Sequence, residues 1–197
     1  MIMKKNLLKF VLTVTLVLGG VAAYASTASA HGYVSSPASR VFKGTELGGK
    51  LNENIGDAAY EPQSIETFKD TFVTGKLANA GISRFSLLDE QTAERWNKTD
   101  IKTGVQPFTW HLTAPHSTTT WDYYMTKQGW DPNQPLDIKN FELVTQQDDH
   151  HAIPVENPTQ LVTIPADRSG YHVILAVWNI FDTPNAFYQA IDVNVVK

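Results

Sequence analysis

The chain has 197 residues, of which 42% are hydrophobic, 11% aromatic and 18% charged; 16 basic against 20 acidic side chains give a formal charge of −4. That balance excludes a basic surface built for nucleic acid, and it suits an anionic membrane surface no better. The absence of cysteine excludes disulfides, thiolate metal sites and a lipoprotein anchor, so stability has to come from packing.

The N-terminal segment reads as a secretory signal peptide over residues 1–30. Lys4, Lys5 and Lys9 form a positive front, Phe10 to Leu18 is almost wholly apolar, and small residues lead into Ala28-Ser29-Ala30. Gly19, Gly20, Ser26 and Thr27 dilute the apolar stretch before it reaches the roughly 20 residues of a membrane span, so an uncut anchor is the lesser reading. Cleavage after Ala30 removes three lysines and no acids, leaving 167 residues with 13 basic and 20 acidic side chains, a charge of −7. The expectation is one secreted, extracellular domain over 31–197, with no membrane contact after processing; a neutral polymer partner would be unaffected by the charge. Cleavage also makes His31 the first residue. Its α-amine and imidazole then form a ready bidentate metal ligand, which a cut one residue later would destroy.

From Gly32 to about Thr103 the chain is rich in Gly, Ser, Asn and Pro. Within it Ile65, Phe68 and Phe72, spaced by three and four, predict a short helix, and a second is expected over about Leu88 to Trp96. From Val105 the period changes to two. Phe108, Trp110 and Leu112 alternate with Thr109, His111 and Thr113 until Pro115 ends the strand. Leu161–Ile164, Tyr171–Ile180 and Phe187–Val196 read as three further strands, the last two separated by Asp182-Thr183-Pro184-Asn185. Short strands without long helices between them predict a mainly β fold. The expected form is an immunoglobulin/fibronectin-III-like antiparallel β-sandwich with a large loop-helical insertion between the first strands. No repeat, linker or low-complexity segment interrupts it.

The histidines divide by context. His111, on the polar face of a strand, reads as solvated or hydrogen-bonded, and His172, opening an apolar strand, as packed with a satisfied ring. His150 and His151 follow Asp148 and Asp149, a cluster that reads as a solvated acidic loop before an adventitious cation site. His116 lies just past a strand end among small residues, which leaves its ring accessible; ligand and ordinary surface histidine both stay open there. Trp178, inside an apolar strand, belongs to the core.

Four segments carry a resemblance: His31-Gly32-Tyr33-Val34, Tyr60-Glu61-Pro62-Gln63-Ser64-Ile65-Glu66, Thr113-Ala114-Pro115-His116, and Asp182-Thr183-Pro184-Asn185-Ala186-Phe187-Tyr188-Gln189. Together, in this order and over essentially the whole mature chain, they resemble the bacterial chitin-active lytic polysaccharide monooxygenases, formerly described as chitin-binding proteins of carbohydrate-binding family thirty-three. Two departures stand out. Some members carry disulfides and this chain has no cysteine; attachment to substrate is expected from the catalytic domain itself, without a further carbohydrate-binding domain after Lys197.

The resemblance implies one copper ion held by the amine and ring of His31 and the ring of His116. Three nitrogen donors in a flat T suit copper and leave coordination positions open. The amine, with an ordinary pKa of about 7.7–8.0, must lose its proton to bind, so copper should be held more weakly as pH falls. Phe187 corresponds to an apolar residue on one side of the ion, where it would exclude a strong further ligand, and Ala114 would shape the other side; an ordinary core aromatic is the competing reading of Phe187. Glu66 matches a carboxylate near the copper that positions water or oxygen co-substrate or assists proton transfer, against a solvated surface glutamate. Tyr60, Glu61, Thr113, Asp182 and Asn185 match a flat substrate face, with Tyr60 stacking on a sugar ring; each alone reads as a loop residue. The implied protein is a secreted, monomeric, copper-dependent monooxygenase that oxidises C1 in crystalline chitin, using an external electron donor and hydrogen peroxide or dioxygen. The alternatives are a non-catalytic chitin-binding adhesin and a cellulose-active monooxygenase. A hydrolase is weaker, since nothing identifies an acid–nucleophile pair at a defined separation.

Overall fold

Strand β4 (Gly104–Ala114) shows how the sequence pattern becomes a layer. Phe108, Trp110 and Leu112 are buried while Thr109, His111 and Thr113 keep contact with solvent, the period of two that a half-buried strand requires. The computed structural model describes residues 30–197; residues 1–29, and so all but the last residue of the expected signal peptide, lie outside the described residues. In a three-stranded sheet β4 pairs antiparallel with β1 (His31–Ser36) on one edge and β7 (Thr159–Ile164) on the other. The second sheet runs β2 (Glu66–Phe68), β9 (Asn185–Val196), β8 (Gly170–Ile180), β5 (Thr118–Thr126), β6 (Phe141–Asp148), all antiparallel neighbours. Strand β3 (Thr99–Lys102) is the exception to the antiparallel expectation, because it joins β9 in parallel. Since β8 lines one edge of β9, β2 and β3 share the other, β2 at the start of β9 and β3 at its end.

The apolar run of β8 explains the architecture. Every residue from His172 to Ile180 is buried. Ile174, Ala176, Trp178 and Ile180 join Phe108, Trp110, Trp121 and Phe187 in a core between the sheets. Val173, Leu175 and Val177 enter a second core with Ile55, Phe85 and Trp96, contributed by the segment between β1 and β4. A sheet that is apolar on both faces needs two covers. The small sheet is one, and residues 37–103 are the other.

That second cover contains no α-helix among the described residues; its helical turns are the 3-10 helices Phe42–Gly44, Gly56–Ala59 and Ser83–Asp89, and a fourth, Ile138–Asn140, follows β5. The helix expected from Ile65, Phe68 and Phe72 is replaced by β2: Tyr188 N–H donates to the Ile65 carbonyl at 3.0 Å, so the segment pairs with β9, and Phe68 is exposed. The helix expected over Leu88 to Trp96 is also absent. Arg40 Nη1 occupies the Leu88 carbonyl at 2.7 Å and Trp96 Nε1 the Glu90 carbonyl at 2.7 Å, so side chains bond acceptors that a helix would have used itself. The four expected strands are present as β4, β7, β8 and β9, while β1, β3, β5 and β6 were not anticipated. β5 is packed on both sides, and its sequence therefore lacks clean alternation.

One buried ion pair pins the cover to the sheet. Arg40, 1% exposed, donates through Nε and Nη2 to both oxygens of Asp192 on β9 at 3.0 and 2.7 Å, while Nη2 also reaches Gln91 Oε1 at 2.9 Å. Tyr171 donates its hydroxyl to the same Asp192 at 2.8 Å, and the guanidinium lies 4.2 Å over the Trp96 ring. Replacing Arg40 with Ala leaves a buried carboxylate without its cation, which should cost about 3–5 kcal/mol and lower the melting temperature by roughly 10 °C in a calorimetric scan; an unchanged midpoint would show that the pair contributes little.

Asp89 sets a pH dependence. Its Oδ1 accepts the backbone N–H groups of Ala78 and Asn79, yet burial outweighs these bonds and pushes its pKa from 3.8 up to about 6. A carboxyl raised on folding favours the native state while protonated in both states and opposes it as pH climbs from about 4 through 6. Asp89→Asn, which keeps the accepting oxygen, should flatten the loss of urea-unfolding free energy between pH 4 and 7 by on the order of 1–2 kcal/mol. Identical slopes for the two proteins would contradict this.

Candidate metal centre

His31 and the end of β4 are brought together by pairing register. His31 faces Ala114 across the β1–β4 ladder, and His116 follows two residues later, beyond Pro115. The approach depends on Gly32: a Cβ there would stand 2.6 Å from Leu112 Cδ2 and 3.1 Å from the His111 carbonyl oxygen. A side chain at this position would therefore push the Leu112 side chain aside and crowd the His111 carbonyl. On its other side Gly32 N–H donates to the Gln63 carbonyl at 3.3 Å, which draws the 60–64 turn against the His31 strand.

The His116 ring is mostly covered, with 12% of its side chain exposed, and its Nδ1 lies 2.8 Å from Asp182 Oδ1. That contact has the distance of an ion pair but not the angle of a hydrogen bond, and the nitrogen is otherwise buried without a partner. A small rotation of either side chain would complete the bond. An imidazole whose Nδ1 is committed to a carboxylate keeps Nε2 for a metal, the arrangement that orients metal-bound histidines.

Phe187 is fully buried in β9, its ring centroid 6.1 Å from that of His31 and 5.2 Å from that of Trp178, which it opposes across the β8–β9 ladder. On the other edge of β9 it pairs with Glu66 of β2. Glu66 is half-buried and accepts Asn185 Nδ2 at 2.7 Å. The 182–185 loop is held as well: Lys69 donates through its backbone N–H to the Pro184 carbonyl at 2.9 Å and through Nζ to the Thr183 carbonyl at 2.8 Å.

The expected face residues occupy different situations. Tyr60, after the Gly56–Ala59 turn, is 86% exposed, and Thr113 is exposed beside half-buried Ala114. Asp182 is exposed at its outer side and turned to His116 at Oδ1, and Asn185 is engaged with Glu66. Glu61 is gripped by Arg84 through two bonds of 2.6 and 2.7 Å, and these bonds hold its carboxyl below the usual carboxylate range. Arg84 and Lys69 therefore shape the face, and sequence reasoning did not single them out. Their only signal was unpaired basic residues in a Gly/Asn-rich stretch.

The remaining histidines fall outside this grouping. His172 is buried, with Nδ1 at 2.9 Å from Thr126 Oγ1 and Nε2 at 3.2 Å from Gln128 Oε1, and His111 Nδ1 is 2.9 Å from Asn157 Oδ1. His150 lies against its own neighbour Asp148 at 3.3 Å, and Trp178 is fully buried, its Nε1–H bonded to Thr118.

Among the described residues no group of three or more His, Cys, Asp or Glu side chains converges as a cage. Two imidazoles, one with a buried unpaired nitrogen beside a carboxylate, fit a nitrogen-ligated ion only if a third donor comes from the main chain, which a free amine on His31 would supply. No helix among the described residues is long and apolar enough to cross a membrane.

Comparison with known proteins gives the chain a family. A family model described as lytic polysaccharide mono-oxygenase, cellulose-degrading, matches residues 31–193. A lytic chitin monooxygenase of Enterococcus faecalis is 59% identical over 193 residues, covering 98% of this chain and 100% of that protein. A GlcNAc-binding protein A of Shewanella oneidensis is 47% identical over 188 residues, which are 92% of this chain but 39% of that relative. Among solved structures, a polysaccharide monooxygenase of the CBM33 group, studied by X-ray photoreduction, superposes with a TM-score of 0.83 at 61% identity, covering 84% of this chain and 100% of its own. A Bacillus amyloliquefaciens CBM33 in complex with Cu(I) gives a TM-score of 0.78 at 40% identity, covering 84% and 100%.

The close approach at Gly32 makes a specific demand. Gly32→Ala should lose about 1–3 kcal/mol of stability through overpacking against Leu112 and the His111 carbonyl; an unchanged melting temperature in a calorimetric scan would show that the two strands absorb the added methyl.

Proposed function

The chain belongs to the lytic polysaccharide monooxygenase family and is a copper monooxygenase; from that premise we propose that it is exported, cut after Ala30, and oxidatively cleaves the β-1,4 bonds of crystalline chitin at C1. The observation that carries the reading is the pairing of His31 with Ala114, two residues before His116, whose buried ring nitrogen lies against Asp182. His31 would hold copper through its freed amine and its ring, and His116 through Nε2. Copper so bound supplies one-electron chemistry between Cu(II) and Cu(I), fed by an external donor, and activates hydrogen peroxide or dioxygen for hydroxylation of the sugar carbon.

The chain's own groups do the positioning. Asp182 holds the His116 ring in one orientation, and buried Phe187 closes the side of His31 that faces the core, excluding water and any further donor there. Ala114, opposite His31, presents only a methyl group and leaves the outer side open to the polymer. Glu66, fixed by Asn185, offers a carboxylate oxygen at the rim that can hold water or oxygen co-substrate or relay a proton. Tyr60 offers a flat ring to a sugar, with Glu61, Thr113, Asp182 and Asn185 around it for hydroxyl or N-acetyl groups. An open face rather than a deep pocket suits a polymer that stays in its crystal. The immunoglobulin/fibronectin-III likeness and the action of residues 31–197 as one catalytic and binding unit, a monomer, are part of this reading.

The test uses protein that begins at His31, loaded with copper and incubated with ascorbate on β-chitin and, because the family model's description names cellulose, on cellulose. Mass spectrometry should find aldonic-acid oligosaccharides from chitin that vanish on chelation and fall at least a hundredfold in His116→Ala, whose melting temperature without copper stays near that of the parent. Oxidised products from cellulose alone would change the substrate. Binding to chitin without oxidised products from either polymer would replace the enzyme with an adhesin.

A further inference from the structure

A second exposed ring system stands beside His116. The imidazole of His151 lies flat on the ring of Phe181, with centroids 3.6 Å apart and planes inclined by 20°. Phe181 is 48% exposed, His151 is exposed, and neither belongs to either core. Both are tied to the metal side of the molecule. Phe181 immediately precedes Asp182, and its N–H donates to the Ser117 carbonyl at 2.7 Å; Ser117 Oγ donates to the His151 carbonyl at 2.7 Å; Thr118 N–H donates to the Ala152 carbonyl at 2.9 Å. The pair is therefore fixed to the residues that follow His116, just as the Tyr60 turn is fixed to the strand that carries His31.

The turn that presents the imidazole adopts an unfavourable backbone. His150 and His151 have φ values of +50° and +63°, and the His150 N–H is bonded by Asp148 Oδ1 at 2.7 Å. Side chains with a Cβ rarely adopt this region without support from their surroundings. Here the surroundings lay one ring over another at the surface, where burial gives little return. Ile153 and Val155, also exposed, prolong the apolar edge along the same loop.

We infer that the His151–Phe181 pair is a second sugar-stacking platform, so that one polysaccharide chain rests on Tyr60 at the His31 side and on this pair at the His116 side. The inference rests on the polysaccharide reading above and extends it. Flat π surfaces take the C–H face of a β-linked pyranose, and two of them on either side of the histidines suit one extended ligand spanning both. The span would hold the bond to be cut over the metal site.

Binding isotherms on β-chitin decide the matter, using copper-loaded protein beginning at His31: the parent, Tyr60→Ala, His151→Ala, Phe181→Ala and Phe181→Leu. Phe181→Leu keeps apolar volume and removes the plane. The His151 and Phe181 variants should each bind about three- to tenfold more weakly, with copper affinity and melting temperature unchanged. Parental binding in these variants, alongside loss in Tyr60→Ala, overturns the platform and leaves the polysaccharide reading standing. A parallel fall in copper affinity overturns it too, since the pair would then act by bracing His116. A parent that binds neither chitin nor cellulose removes both readings together.

Discussion

The structure depends on β8 and β9 being covered on both faces. Residues 172–180 leave no side of the strand for water, so the chain must supply a layer on each face. The small sheet supplies one from ordinary alternating strands. The 37–103 segment supplies the other from irregular backbone, and irregular backbone can be buried only when its polar groups find partners. Arg40 bonding Leu88 and Asp192, Trp96 bonding Glu90 and Asn52 bonding the Arg40 carbonyl are such partners.

The proposed metal site lies where those layers end. β1 pairs with β4 and brings His31 to Ala114; β2 occupies the starting edge of β9 and brings Glu66 to Phe187. Neither pairing needs a metal in order to form, so His31 and Glu66 are held by the same hydrogen bonds that hold the sheets. The polar groups around them are likewise committed before any substrate arrives: Glu61 to Arg84, Glu66 to Asn185, Asp182 to His116. Such commitments lower the entropy that a ligand would lose in ordering them.

Several elements of this arrangement were legible in the sequence. The alternation from Phe108 to Thr113 marked β4, the apolar run with Trp178 marked a buried strand, and the packed role of His172 followed from its place at the head of that run. The helices were misread because three or four apolar residues at a spacing of three and four do not distinguish a turn of helix from residues that reach a common core from an irregular loop. At Ile65 the partner that decided the outcome, Tyr188, lies more than a hundred positions away. The stack of His151 on Phe181 was invisible for the same reason, and the Asp148–His151 cluster read as a solvated acidic loop before an adventitious cation site.

By itself the sequence determined what each residue can do: His31 can become a terminal amine and imidazole, no thiol can compete for metal, alternating and continuous apolar runs must become half-buried and fully buried strands, and the surface is acidic. These are properties of composition and near neighbours. Only the tertiary structure decided that His31 faces Ala114, that Asp182 and Asn185 face His116 and Glu66, that Glu61 is gripped by Arg84, and that β3 runs parallel to β9. Those outcomes follow from strand register and from contacts between residues far apart in the chain, and register is set by the simultaneous burial of whole faces, a sum that no local window contains.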